Sequence, residues 1–133
     1  MIVLDSSFLI GYHNTRDTHH AEAARTMVHL AAGEWGPALL LEYVFLEVVT
    51  VLRARRGQAV ALTVAEQLLN AREVEFLPCS DFFTESLRTL ARESAALSFT
   101  DAAILTVARR ERGVIATFDA DLRGLPGVTV VPG

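Results

Sequence analysis

Lysine is missing from this chain: all 12 basic side chains other than histidine are arginine. That absence excludes chemistry that needs an amine, namely a P-loop nucleotide site with its phosphate-binding lysine and any Schiff-base mechanism. Cysteine is almost missing too. Cys79 stands alone, so no internal disulfide forms and no thiol pair offers redox chemistry, and a reducing, cytoplasmic setting is the expectation. The four histidines, His13, His19, His20 and His29, lack the spacing of a zinc site. No stretch is rich in Pro, Gly or Ser and nothing repeats, so residues 1–133 read as a single domain. The longest apolar stretch, Pro37 to Leu52, carries Glu42 and Glu47 and is too short to span a bilayer. The opening Met1-Ile2-Val3-Leu4-Asp5 lacks the basic segment of a secretory signal, and no membrane association is expected. Nor is there an excess of positive charge. At a net charge of −4, any grip on nucleic acid must come from local arginines, grouped at Arg53, Arg55 and Arg56 and at Arg109, Arg110 and Arg112.

What is present is a large apolar fraction, 51% of residues, enough for a core without disulfide or metal staples. Short β-type runs alternate with helical stretches, the pattern of an α/β domain with a mostly parallel sheet. Strands are predicted at Ile2 to Leu4, Pro37 to Leu40, Val74 to Leu77, Val114 to Thr117 and Val128 to Val131. Between them lie a helical start at Ser6-Ser7-Phe8, a helix capped by Asp17 or Thr18, and a long apolar helix ending at Arg56-Gly57. Further helices are predicted to open at Thr63, at Ser80 or Asp81, and at Ser98 or Thr100. In such sheets, sites form beyond the carboxyl ends of strands where the strand order reverses. Asp5 follows the first strand and Asp119 lies just past the fourth. If those strands are neighbours, both carboxylates reach one crevice.

Taken singly, several acids have ordinary explanations. Asp5 suits a helix N-cap, Ser98-Phe99-Thr100-Asp101 suits a capping box, and Asp119-Ala120-Asp121 suits the cap of a short turn. Asp101 nevertheless shares a helical face with Ile104, Leu105 and Ala108, which should point at the core. Glu47 is the sharpest signal. It sits mid-helix among Val44, Phe45, Leu46, Val48 and Val49, and a buried carboxylate must be paired, protonated or bound to metal. Glu42, five residues earlier and about 140° away around an ideal helix, is expected near the helix start and solvated. Acids gathered at one sheet edge with no lysine partner repel one another unless a cation intervenes, and hard oxygen ligands suit Mg²⁺ or Mn²⁺.

The segments Ile2-Val3-Leu4-Asp5-Ser6-Ser7, Glu42 to Leu52, Leu97-Ser98-Phe99-Thr100-Asp101-Ala102-Ala103-Ile104-Leu105 and Val114 to Leu122 carry a resemblance. In order and spacing they resemble the PIN-domain nuclease family, most closely the VapC-type toxins of toxin–antitoxin pairs. The resemblance implies a three-layer α/β/α fold with a five-stranded parallel sheet in the order 3-2-1-4-5. It implies an acidic Mg²⁺ (or Mn²⁺) site of Asp5, Glu47, Asp101 and Asp119, with Asp121 as auxiliary ligand and the hydroxyls of Ser6 and Thr117 beside it. It also implies an endoribonuclease, a homodimer, and a small antitoxin whose tail enters the cleft. An acidic hole is best plugged by an arginine, so an arginine-bearing tail is expected. Arg53, Arg55 and Arg109 are the candidates for holding RNA phosphates.

Two rival classes follow from the same acids. A haloacid-dehalogenase-like phosphatase needs a second aspartate two residues after Asp5, where Ser7 stands, and such enzymes and receiver domains also need a lysine. The other rival is a catalytically inactive PIN-like module for RNA or protein binding. An apolar residue at position 47 would be cheaper for such a module than the glutamate found there.

Overall fold

The computed structural model describes residues 1–93 and 96–133. Five strands, β1 (Ile2–Leu4), β2 (Ala38–Leu41), β3 (Val74–Leu77), β4 (Val114–Ala116) and β5 (Thr129–Val131), form one sheet in the order β3-β2-β1-β4-β5. Every neighbouring pair is parallel. β1 and β2 are buried along their whole length, as central strands covered on both faces must be, which explains their unbroken Ile-Val-Leu and Ala-Leu-Leu-Leu character. β3, at one edge, leaves Glu75 and Phe76 exposed.

Six helices connect the strands: α1 (Ser6–His13), α2 (His20–Ala31), α3 (Glu42–Arg56), α4 (Gln58–Asn70), α5 (Phe83–Arg92) and α6 (Phe99–Arg110). Turns of 3₁₀ helix occupy Cys79–Phe82 and Ala120–Leu122. The chain steps from β1 to β2 to β3 in one direction, then crosses back to β4. Right-handed crossovers therefore put α1 to α4 on one face and α5 and α6 on the other. α6 is the most enclosed helix: Ala102 to Ala108 is continuously buried, and its alanines let it lie close over the sheet. Its one polar residue in that run, Thr106, shares a 2.6 Å hydrogen bond with Thr89 of α5 and donates to the Ala102 carbonyl at 2.7 Å. Among the described residues, no helix is long and apolar enough to cross a membrane.

The expected strands appear within a residue at each boundary, and three helix starts are corrected. α2 opens at His20 with His19 at its N-cap, so neither Asp17 nor Thr18 holds that position. α4 opens at Gln58, not Thr63, because Gly57 at φ 89° breaks α3 and the next helix begins at once. The Thr63 hydroxyl bonds back to the Ala59 carbonyl at 3.0 Å inside the helix, an alternative to capping that Thr always has. Ser80 and Asp81 fall in the 3₁₀ turn ahead of α5, and neither side chain caps it.

Ser86 in α5 is 1% exposed, and its hydroxyl has no hydrogen-bond partner among the described residues. A buried hydroxyl left unbonded costs about 1–3 kcal/mol, and alanine also favours the helix. Ser86→Ala is therefore expected to stabilise the protein by about 1 kcal/mol. Urea unfolding of the two proteins checks this, and a less stable variant contradicts it.

Candidate active site

The pairing of β1 with β4 aligns Leu4 with Ala116, and the Asp5 N–H continues it by donating to the Ala116 carbonyl at 3.0 Å. Asp5 thereby comes to lie beside Thr117. It occupies the N-cap position of α1 in extended backbone, yet its side chain makes no capping bond. Instead Oδ2 accepts two hydroxyls, from Thr117 at 2.6 Å and from Ser7 at 2.8 Å. The same hydroxyl oxygens accept backbone N–H groups, Ser7 from Phe118 at 2.9 Å and Thr117 from Asp119 at 2.9 Å. Each hydroxyl has a single proton, and both protons are committed to Asp5. The 3.1 Å approach of the two hydroxyl oxygens is thus a consequence of sharing one acceptor rather than a further bond. Asp5 is only 4% exposed, and this network is what makes a carboxylate tolerable there. Its Oδ1 has no hydrogen-bond partner among the described residues.

Asp101 and Asp119 arrive from two other elements. Ser98 caps α6 and accepts the Asp101 N–H at 3.1 Å, while Asp101 Oδ2 accepts the Ser98 N–H at 3.1 Å, completing the expected capping box. Asp119 Oδ1 accepts the Asp121 N–H at 2.9 Å and caps the second 3₁₀ turn. Capping occupies one oxygen of each carboxylate and leaves the other without a partner among the described residues. Asp101 has its pKa raised, chiefly by burial; the Ser98 hydrogen bonds oppose the rise, and the charges of Asp5 and Asp119 add to it. The three carboxylates sense one another.

All three line a cleft of about 830 Å³, and Glu47 lines it as well. Glu47 corrects an expectation: it is exposed, not buried. The buried stripe of α3 is Val44, Val48 and Leu52, and Leu46 beside Glu47 is itself 60% exposed. The cleft-facing stripe is Tyr43, Glu47, Val51 and Arg55, four residues apart at each step. Glu42 is corrected in the other direction. It is half-buried, and its Oε1 accepts the Cys79 N–H at 2.8 Å, while Cys79 Sγ accepts the Tyr43 N–H at 3.4 Å.

Of the arginines, only Arg55 lines the cleft. Arg53 faces a separate shallow surface with Val49, Thr50 and Ala54. Arg109 is eight residues along α6 from Asp101, about 12 Å by helix rise, and is held by Glu93 at 2.7 Å and the Pro126 carbonyl at 3.0 Å. Neither has the cleft position expected of it. Ser6 lines the cleft, but the hydroxyl bonded to the acid is that of Ser7, which sequence reasoning passed over. Asp121 is exposed and does not line the cleft; it contributes its backbone N–H to Asp119. Also unforeseen on the cleft walls are Asp17, His19, Tyr43 and Phe118. His13 points elsewhere, into an apolar cavity between α1, α2 and α4, where burial lowers its pKa to about 4.

The donor set suits a hard cation: carboxylate oxygens from three elements, mutually repelling, each with an oxygen to spare. Among the described residues, however, no three His, Cys, Asp or Glu side chains gather closely enough to hold one metal ion. The acids share a cleft without closing to coordination distance.

Several known proteins resemble this chain in sequence or fold. A VapC ribonuclease of Archaeoglobus fulgidus is 24% identical over 54 residues, a match spanning 41% of this chain and only 35% of that protein. Among solved structures, Mycobacterium tuberculosis VapC20, a sarcin–ricin loop cleaving toxin, superposes with a TM-score of 0.79 at 26% identity, covering 92% of each chain. Two others share the fold. VapBC2 of Rickettsia felis, bound to a DNA fragment from its promoter, has a TM-score of 0.69 at 14% identity, covering 98% of this chain and 97% of that one. A toxin–antitoxin complex from Klebsiella pneumoniae has a TM-score of 0.66 at 20% identity, with coverage of 97% and 96%. The sequence model of the PIN domain matches residues 2–128, and with the 3-2-1-4-5 sheet this establishes that the chain belongs to the PIN domain family.

Proposed function

We propose that this protein is a Mg²⁺- or Mn²⁺-dependent endoribonuclease, the toxin of a toxin–antitoxin pair. The observation that carries the reading is the convergence of Asp5, Asp101 and Asp119 from β1, α6 and the end of β4 on one cleft. Asp5, Asp101 and Asp119 would hold the cation, with Glu47 assisting directly or through water. Bound there, a divalent ion polarises a phosphodiester and lowers the pKa of a water molecule. The chain's own groups do the rest. Ser7 and Thr117 fix the direction of Asp5 by donating both their protons to Oδ2. The Ser98 capping box fixes Asp101, and Arg55, which lines the cleft at the far end of the α3 stripe, would neutralise a backbone phosphate.

The relatives support a partner as well as a substrate, since toxin–antitoxin assemblies are among the structures that share the fold. An unneutralised acidic cleft favours a planar, bidentate cation, so we assign the antitoxin an arginine-bearing tail that fills it. Exposed Leu62 and Leu69, seven residues apart on α4, support the homodimer reading. A reducing, cytoplasmic setting completes it.

Three outcomes are expected. Purified protein should cut RNA with Mg²⁺ and not in EDTA, and Asp5→Asn or Asp119→Asn should lower the rate at least a hundredfold with the fold retained. An active Asp5→Asn variant, or cleavage undiminished by EDTA, sinks the metal-nuclease reading. A second outcome concerns stability. The raised Asp101 pKa means that the charged form is disfavoured in the folded protein, so its contribution is most favourable at low pH and declines as pH rises through the folded pKa. Metal-free Asp101→Asn should therefore be at least as stable as the parent at neutral pH, while losing much of the stabilisation that added Mg²⁺ gives the parent. Thermal scans with and without Mg²⁺ decide it, and a marked loss of metal-free stability would favour a structural role for Asp101. The third concerns the partner, which we expect to be encoded beside this gene: expressing the chain alone should slow growth, and co-expressing the neighbouring gene product should restore it. Replacing the tail arginine by alanine should largely abolish inhibition, and by lysine should do so partly. A chain that is harmless alone and binds no neighbouring product fails the toxin reading.

A further inference from the structure

Phe118 stands immediately before Asp119, and its ring belongs to a stack of flat side chains leading outward from the core. Phe8, fully buried, lies 6.2 Å from it at an interplanar angle of 29°. The His19 imidazole lies on Phe118 with ring centroids 4.2 Å apart and planes within 10° of parallel. Exposure rises along the series, from buried Phe8 through half-buried Phe118 to exposed His19. Both outer rings line the same cleft as the carboxylates. Among the described residues no other ring is stacked on His19, which is exposed and lines the cleft.

The rings are held at this spot by specific contacts. The Phe118 N–H donates to Ser7 Oγ at 2.9 Å, which ties its ring to the hydroxyl network around Asp5. The His19 N–H donates to Asp17 Oδ1 at 2.8 Å, and His20 Nδ1 hydrogen-bonds to the Gly11 carbonyl at 3.1 Å, docking the start of α2 on α1. Gly11 has no side chain to intervene; a Cβ there would already rest 3.4 Å from both His19 Cβ and Phe118 Cε2. The stack is thus seated on bare helix backbone, next to the acids.

A flat, open, aromatic face a few residues from a phosphate-handling site matches what an unpaired nucleobase requires. Stacking on an aromatic ring tolerates any base, because every base has a π-face, and single-stranded RNA is recognised in this manner. An arginine from a protein partner would be drawn past the rings to the carboxylates beyond. A base carries no charge to take it there and gains its contact from flat area. We propose that His19, backed by Phe118, is a nucleobase platform: one unpaired RNA base lies on the imidazole and sets which phosphate reaches Asp5, Asp101 and Asp119. The role of the platform rests on the nuclease reading, whereas base binding itself rests on ring geometry.

Binding of short single-stranded RNAs tests this, with 2-aminopurine placed at each position in turn and Ca²⁺ in place of Mg²⁺ so that binding is read without cleavage. One position should be quenched on binding. His19→Ala should abolish that quenching and weaken binding about tenfold, at an unchanged melting temperature, while His19→Phe and His19→Trp retain both signals. An abasic nucleotide at the quenched position should weaken binding to the parent by a similar factor and leave His19→Ala unaffected. Equal affinities of parent and His19→Ala, equal losses for alanine and phenylalanine, or a loss confined to binding of a protein partner would each overturn the proposal. A parent that binds and stacks RNA but never cuts it would count against the nuclease reading alone.

Discussion

The parallel pairing of β1 with β4 is the constraint on which the site depends. It brings together two segments separated by more than a hundred residues and stops where both chains leave the sheet, at Asp5 and Thr117. From that register the rest follows: the Thr117 hydroxyl meets Asp5, Phe118 turns its N–H to Ser7, and Asp119 emerges on the cleft. A sheet in which β1 paired only with its sequence neighbour would leave Asp5 capping a helix in water. The reversal of strand order at this point is what converts a helix-cap acid into one with a second role.

The same residues are read twice, as structure and as chemistry. Asp101 and Asp119 each give one oxygen to a local backbone N–H and leave the other to the cleft. Short carboxylates serve this dual use well, because the capping bond fixes the direction of the free oxygen at little cost in side-chain freedom. Glu47 differs: on the exposed face of α3, with a longer side chain and no bond to hold it among the described residues, it is the most adjustable of the four acids.

How much of this was legible in the sequence depends on the kind of inference involved. Strand ends follow from apolar runs and their punctuation, so Asp5 and Asp119 could be placed at one sheet edge once the strands were recognised. The capping box at Ser98-x-x-Asp101 is a local pattern and was equally visible. Burial of Glu47 was misjudged because α3 is apolar nearly all round, so composition gives no side to the helix. Val44, Val48 and Leu52 take the core, and Leu46 is left outside. Ser6 and Ser7 are 100° apart on α1, and only the direction of that helix relative to Thr117 decides which hydroxyl reaches the acid. Arg109 lies on the same helix as Asp101, but helix length separates them. The His19–Phe118 stack joins residues from distant segments, and nothing local announces it.

The bonds around Cys79 have an outcome of a different sort. The thiol is buried, accepts the Tyr43 N–H, and has its pKa raised chiefly by that burial, with the Glu42 charge acting in the same sense. It is the sole sulfhydryl in the chain, and it is locked at the joint between the start of α3 and the 3₁₀ turn that precedes α5. Kept protonated and out of reach, it offers oxidants no thiolate. The thiol is accordingly redox-silent: neither disulfide cross-linking between copies nor peroxide has a handle on it while the fold is intact. Alkylation of that thiol becomes a report on whether α3 has come away from the turn.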